Sequence, residues 1–403
     1  MNITIHRGLE QIGGCITEIS TATTRIFIDF GKNLPGYGER TSPEQDKAMV
    51  LEIFANNKKQ HEAVFYTHAH EDHIGLFRYI PESVSQFIGE GALQMLQTKY
   101  SVMKEGDDLG HNNPAQTLEA LDKLSKFNTW KRIAQHDKPK TIEFGDIRVT
   151  PFFCSHSIYD SYMFLIEADG KRIWHTGDYR AHGYLGKGLI PTLKKYAKKI
   201  DTLITEGTML SRDAEECIHE SKVASLMTDQ MRKYDYVFVL SSATDIDRIA
   251  TIRNAAANAN KKLLINGKFQ YETMKLFSKR EGHSFNGLYR FNPQYFNSKG
   301  LEYCRENGFV LMVGATHIKR TREIYEKLDP EQCLLIYSTW EGYYKIPEQV
   351  AINSAYKEFR EMFNHCIDIH TSGHADRNTI EEVVRTVNAR EVIVIHKDAG
   401  VTL

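Results

Sequence analysis

Short apolar runs separated by polar turns dominate the first third of the chain. "CITEI" (15–19), "TRIFIDFG" (24–31) and "EAVFYTHAH" (62–70) predict strands that end in polar residues. "SQFIGEGALQMLQTKY" (85–100) predicts a strand handing over to an amphipathic helix, and 102–140, with "KEGDDLGHNN" near its start, predicts polar, partly helical surface structure. "DIRVTPFFCSHS" (146–157) and "SYMFLIEADGKRIWHTGD" (161–178) return to strand pattern, the second as a hairpin about Asp169 and Gly170. Beyond Ile204 the rhythm changes. "YVFVLSS" (236–242), "KKLLIN" (261–266), "GFVLMVG" (308–314) and "CLLIYST" (333–339) alternate with helix-length segments, which predicts parallel β-α units. The chain closes with "CIDIHTSGHA" (366–375), a helical "RNTIEEVVRTVNAR" (377–390) and the strand "EVIVIHKD" (391–398).

Length narrows the architecture. At 403 residues the chain predicts two domains or one large domain with an insertion. Lys and Arg (51) nearly cancel Asp and Glu (52), so any polyanion site must be local rather than a global basic field. The six cysteines are Cys15, Cys154, Cys217, Cys304, Cys333 and Cys366. They lie far apart with no C-x-x-C pair, which predicts a reduced, cytoplasmic protein. The opening "MNITIHRGLEQIGG" has no apolar targeting core, and no apolar run is long enough to span a membrane.

The chemistry concentrates in "THAHEDHIG" (67–75), where His68, His70 and His73 alternate with Glu71 and Asp72 in a chain of only 17 histidines. Imidazole nitrogen and carboxylate oxygen are the usual ligands of zinc and related ions. A loop after a strand can turn His68 and His70 to one ion, leaving Asp72 and His73 for another. Other strand ends supply His156 in "CSHS", Asp178 in "HTGD" and His396 in "VIHKD". A lone histidine at a strand end is ordinarily a turn or hydrogen-bonding residue. The clustered unit H-x-H-x-D-H is not explained that way.

"THAHEDHIG" resembles the signature of the metallo-β-lactamase fold superfamily, a four-layer αββα sandwich with a metal site at one edge of its sheets. Further matches narrow the resemblance to the β-CASP nucleases and, among them, to ribonuclease J. "SHSIYDS" (155–161) and "WHTGDYR" (174–180) resemble the third and fourth metal motifs. "LITEGT" (203–208) resembles motif A through Glu206, "TSGHA" (371–375) motif B through His374, and "VIHKD" (394–398) motif C through His396. "FIDFG" (27–31) matches the acid, Asp29, that supports a ligand histidine. Departures stand beside these matches. Motif C usually has Pro before its histidine and Gly-Glu after, where this chain has "IHKDAG"; motif A carries Glu where ribonuclease J often has Asp; and that family has a further C-terminal assembly domain, whereas this chain stops shortly after motif C.

The resemblance implies an α/β protein: a metallo-β-lactamase domain over 1–208 and 362–403, with a parallel α/β β-CASP domain inserted at 209–361 and substrate in a cleft between them. It implies two divalent metal ions, zinc first and manganese as the other candidate. His68, His70 and His156 would hold one ion, Asp72, His73 and His396 the other, and Asp178 would bridge. The ions would activate water for in-line attack on phosphorus. Asp72, Asp178, Glu206 and His374 would be the catalytic set, His374 assisting the leaving group and Glu206 orienting a ligand histidine, His396. Ser242 and Thr244 in "SSATDID", Thr316 and His317 in "GATHIKR", and Ser372, Gly373 and His374 are candidate phosphate contacts. Basic clusters at Lys261, Lys262 and Lys268, at Lys275, Lys279 and Arg280, and at Lys319, Arg320 and Arg322 are weaker ones, since charged runs usually solvate a surface. The expected activity is a metal-dependent ribonuclease acting on single-stranded RNA, exo- or endonucleolytic. It would have no membrane partner, with homodimerisation left open. The alternatives are a DNA nuclease of the same fold and a non-catalytic RNA-binding subunit. A small-molecule hydrolase would not need motifs A to C.

Overall fold

The computed structural model describes residues 1–38, 40–106, 113–132, 138–212, 217–296 and 307–403. Cys304 and part of the polar 102–140 segment lie outside these described residues. The chain divides into two compact units: 1–96, 119–217 and 373–403 form the first, and 97–118 with 218–372 the second.

The first unit holds two six-stranded sheets. One runs in the order β1 (Asn2–Arg7), β2 (Ile16–Ser20), β3 (Thr24–Ile28), β4 (His61–Phe65), β5 (Ser85–Gly89), β6 (Asn128–Trp130). The other runs β17 (Glu391–Ile395), β11 (Thr202–Glu206), β10 (Lys171–His175), β9 (Ser161–Ala168), β8 (Ile147–Cys154), β7 (Ile142–Phe144). The β9–β10 hairpin turns at Asp169 (φ 50°) and Gly170 (φ 71°), the pair of positive φ angles that a tight two-residue connection requires.

Strand periodicity explains the layers. Side chains alternate faces along a strand, so Tyr162, Phe164 and Ile166 of β9 join Ile19, Ile26 and Phe65 of the first sheet in one buried cluster. Met163 and Leu165 point the other way, to a second cluster with Leu189 and Leu193 of the helix Leu189–Tyr196 and Ile380 and Val383 of the helix Arg377–Val387. A strand apolar on both faces reads as a continuous hydrophobic run, as β9 does. On the outer face of the first sheet Phe27 and Phe30 pack against Phe54 of the helix Pro43–Ala55. The result is helix, sheet, sheet, helix. Ser42 and Gln45 cap that last helix reciprocally, a signal present in the sequence but lost among the polar residues around it.

The second unit contains a parallel five-stranded sheet in the order β13 (Leu263–Ile265), β14 (Phe309–Val313), β12 (Tyr236–Leu240), β15 (Cys333–Tyr337), β16 (Cys366–Asp368). Strand and helix alternate along it as the pattern after Ile204 predicts. The three-residue β16 pairs with β15, so in this division the return to the first unit falls at Gly373 rather than at 362, and 97–118 joins the second unit.

Direction places the polar strand ends. β3 and β4 are parallel, as are β10, β11 and β17. β8 shares the direction of β10, because both are antiparallel to β9. Backbone hydrogen bonds sew the loops after these strands together: Asp72 O accepts from Cys15 N at 3.0 Å, His73 O from Phe30 N at 2.8 Å, and Gly8 O from His396 N at 2.6 Å. Gly31 makes this closeness possible, since a Cβ there would lie 1.7 Å from Asp72 O. Gly31→Ala should therefore lower stability by roughly 1–3 kcal/mol, read as an earlier urea midpoint. An unchanged midpoint would show that the loop carrying Asp72 moves at no cost.

Candidate metal centre

His68 and His70 lie in the loop after β4, while Asp72 and His73 sit on the one-turn helix Glu71–Ile74 that follows. The loop after β8 brings His156, the loop after β10 brings Asp178, and His396 follows β17 directly with φ 54°. Asp29, after β3, also has positive φ (64°). Non-glycine residues hold such angles only where surrounding bonds over-determine them. Asp29 meets that condition: its carboxylate accepts from Thr67 N (2.7 Å), Thr67 Oγ1 (2.8 Å) and His73 Nδ1 (2.8 Å).

These bonds fix which ring nitrogens face inward. Thr67 spends its proton on Asp29, so its oxygen accepts from His68 Nδ1 at 3.0 Å, leaving a lone pair on His68 Nε2. His156 Nδ1 donates to Gly373 O at 2.6 Å, which leaves its Nε2 likewise. Both lone pairs then point at His70 Nδ1, each at 3.1 Å. A tetrahedral ion with Zn–N bonds of about 2.0–2.1 Å separates its ligand atoms by about 3.3–3.4 Å, so the trio fits an ion of that size. The second ring nitrogen of His73, Nε2, in a residue 2 % exposed, faces a carboxylate. It lies 3.1 Å from Asp178 Oδ2.

Asp178 Oδ2 is the common neighbour. It stands 3.1 Å from His73 Nε2, 3.5 Å from His396 Nε2, 3.8 Å from His156 Nε2 and 4.0 Å from His68 Nε2. His396 Nε2 is also 3.0 Å from Asp72 Oδ2. The donor atoms of His68, His70 and His156 lie within 4.8 Å of one another, as do those of His68, His73 and Asp178 and those of Asp178, Glu206, His374 and His396.

Burial divides the histidines electrostatically. Desolvation, reinforced by neighbouring histidine charge, holds His68 and His156 well below the ordinary imidazole value, and burial takes His70 to about 4. Burial also opposes charge on His73 and His396. There the carboxylates win: Asp178, Asp72 and Asp29 raise His73 well above its usual value, and Asp178 and Asp72 raise His396. Burial disfavours ionised Asp178 too, but His396 and His73 hold it well below the carboxylate range. One set is thus three imidazoles that burial keeps from protonating, and the other sets imidazoles against carboxylates.

The expected partner of Glu206 requires correction. Glu206 Oε1 accepts from Tyr179 N at 3.0 Å and Oε2 from His374 Nδ1 at 2.9 Å, so it orients His374 and not His396. His396 Nδ1 instead meets Thr208 Oγ1 at 2.7 Å, and Thr208 donates to His396 O at 3.2 Å. Glu206 and Thr208 are two residues apart; Glu206 bonds His374, whereas Thr208 Oγ1 lies nearest His396 Nδ1 (2.7 Å) and also 3.2 Å from His374 Nδ1. Nothing in "EGT" alone distinguishes these roles. His374 is the open member of the group, its side chain 22 % exposed.

The candidate phosphate contacts divide between the units. Gly373 and His374 belong to the first, and Ser242, Thr244, Thr316, His317 and Ser372 to the second. Ser242 and Thr244 form a local hydroxyl turn after β12, their oxygens 2.9 Å apart. Thr316 is exposed after β14, but His317 is buried against Gly267. Several basic residues have local partners: Lys268 pairs with Glu105, Lys275 with Glu272, and Arg320 donates to the carbonyls of Asn266 and Phe296.

Comparison with known proteins agrees with this geometry. Residues 49–233 match the family described as "Beta-lactamase superfamily domain". Ribonuclease J of Helicobacter pylori is 22 % identical over 423 aligned positions, covering 98 % of this chain and 56 % of that protein. Endoribonuclease YSH1 of Mycosarcoma maydis is 28 % identical over 152 positions, 36 % of this chain and 17 % of that protein. A crystal structure of a protein of unknown function from Enterococcus faecalis V583 superposes with a TM-score of 0.72 at 16 % identity, covering 98 % of this chain and 93 % of that one. The fold is the metallo-β-lactamase fold, whose family implies divalent metal binding. In sequence the chain is similar to ribonuclease J along nearly its whole length, and it spans about half the length of the Helicobacter relative.

Partners of a ligand's second nitrogen tune metal affinity by about 10–100-fold. Thr208→Val should weaken metal retention by that order, while Thr208→Ser keeps it, measured by competition with a chelator. Equal retention in both variants would show that Thr208 does not support His396.

Proposed function

We propose that the chain is a metal-dependent ribonuclease that hydrolyses RNA phosphodiester bonds at a two-ion centre, with zinc as the first candidate and manganese the second. The observation that carries this reading is the convergence of two ligand sets on one oxygen of Asp178 with the Glu206–His374 pair beside it. Similarity to ribonuclease J and to the endoribonuclease YSH1 supports RNA over DNA. His68, His70 and His156 would hold one ion and Asp72, His73 and His396 the other. When bound, such ions lower the pKa of water to supply a hydroxide nucleophile and offset charge on the phosphate oxygens.

The protein's own groups do the rest. Asp29, Thr67, Thr208 and the Gly373 carbonyl fix the imidazole tautomers, so the ligand nitrogens are in place before substrate arrives. Glu206 accepts a hydrogen bond from His374 Nδ1–H, so that the ring, acting as imidazolium, would give its Nε2 proton to the departing 3′ oxygen and remain neutral with Nδ1–H on Glu206. The partly exposed His374 can reach substrate; His396, 1 % exposed, cannot.

RNA and matched DNA labelled at either end, with 5′-monophosphate or 5′-hydroxyl, test the reading. RNA should be cut, and a chelator should stop the reaction. Faster cutting of DNA, or activity indifferent to chelation, would overturn it. The two histidines should separate. His396→Ala should lose bound metal and activity together, whereas His374→Ala should keep its metal and slow RNA cleavage by roughly 10²–10⁴-fold. Bis-p-nitrophenyl phosphate, whose leaving group needs no proton, should be affected far less by His374→Ala. Metal loss in His374→Ala, or equal damage to both substrates, contradicts the assigned role.

A further inference from the structure

A charged pair in the second unit is buried and has no part in the mechanism above. Arg248, 2 % exposed, faces the fully buried Glu220. Arg248 Nη2 donates to Glu220 Oε1 at 2.9 Å and Nε to Oε2 at 3.2 Å, and Thr251 Oγ1 donates to the same Oε2 at 2.6 Å. The rest of the guanidinium reaches segments distant in sequence. Nη1 shares its N–H groups among Ser338 Oγ at 2.7 Å, His370 Nδ1 at 3.0 Å and Ser338 O at 3.2 Å, and Nη2 donates to Thr371 O at 3.4 Å. Ser338 Oγ donates in turn to Ile369 O at 2.8 Å. Every residue from Ile369 to Thr371 is therefore tied to Arg248, directly or through Ser338.

A buried ion pair adds little net stability, because desolvation offsets its attraction. What the planar guanidinium supplies is geometry, a fork of donors in fixed directions that the single ammonium of lysine cannot reproduce. Here the fork joins Glu220 to the residues just after β15 and β16. Ser372, Gly373 and His374 follow directly. The chain is held again two residues beyond Thr371: the Gly373 carbonyl accepts from His156 Nδ1 at 2.6 Å, and a Cβ on Gly373 would meet Ser157 Oγ at 2.2 Å. We infer that Arg248, locked by Glu220, is a positioning residue for His374. It fixes the chain at 369–371, which ends three residues before the imidazole assigned to the leaving group. The inference rests on the role proposed for His374. So short a covalent link passes any slack at Thr371 on to that imidazole, and a misplacement of about 1 Å can cost on the order of 10²-fold in rate.

Two variants loosen this grip to different degrees. Arg248→Lys keeps a charge beside Glu220 but loses the fork. Ser338→Ala leaves the ion pair in place and removes one acceptor of Arg248 together with the bond to Ile369 O, and it carries the test if Arg248→Lys does not fold. Each full-length variant, loaded with zinc, is assayed on RNA and on bis-p-nitrophenyl phosphate, alone and combined with His374→Ala. Metal content should match the wild type. On RNA kcat should fall about tenfold or more with KM little changed, while the activated ester is spared. In the His374→Ala background the further loss on RNA should vanish, because the group being positioned is gone. No loss on RNA, the same loss with and without His374, or equal loss on both substrates would show that Arg248 serves only the fold, and overturns the inference while leaving the nuclease reading intact. A wild-type chain that leaves RNA uncut overturns both.

Discussion

A single buried carboxylate oxygen, Asp178 Oδ2, organises the centre. Five imidazole nitrogens from four separate stretches of chain lie 3.1–4.0 Å from it. A charge at such a depth persists only if opposite charge compensates it. In the protein alone, raised His73 and His396 provide that compensation; divalent ions would do so more strongly. The need to surround one oxygen with donors explains why strands of two sheets end at the same place, and why Asp29 and His396 tolerate left-handed backbone angles.

The layers serve that convergence. β9 is apolar on both faces and is packed between two buried clusters, which anchors the strands whose ends carry the ligands. The ligand loops are joined by backbone hydrogen bonds rather than left to side-chain contacts alone. Gly31 gives up a side chain so that Asp72 O can approach. Outer partners then assign each ring its tautomer, which turns a cluster of histidines into two distinct donor sets.

Much of this was legible in the sequence, for physical reasons. Strands apolar on alternate or on all positions announce themselves, and "HAHEDH" concentrates donors too densely for a turn. The rest was hidden because it depends on contacts between distant residues. Glu206 and Thr208 look alike in their suitability to support a histidine, and only the folded loops show that Glu206 takes His374 while Thr208 sits closest to His396 and also touches His374. His317, a candidate phosphate contact by its loop, is packed against Gly267. The capping box at Ser42 and Gln45 is local, but its helix lacks a strong apolar stripe, and β16 is too short to reveal which sheet it joins.

The central claim is that two ions divide around Asp178. Anomalous difference maps from crystals of the zinc-loaded protein, recorded on either side of the zinc edge, test it most directly. The account predicts two peaks flanking Asp178, one among His68, His70 and His156 and one among Asp72, His73 and His396. A single peak, or peaks away from Asp178, would contradict it.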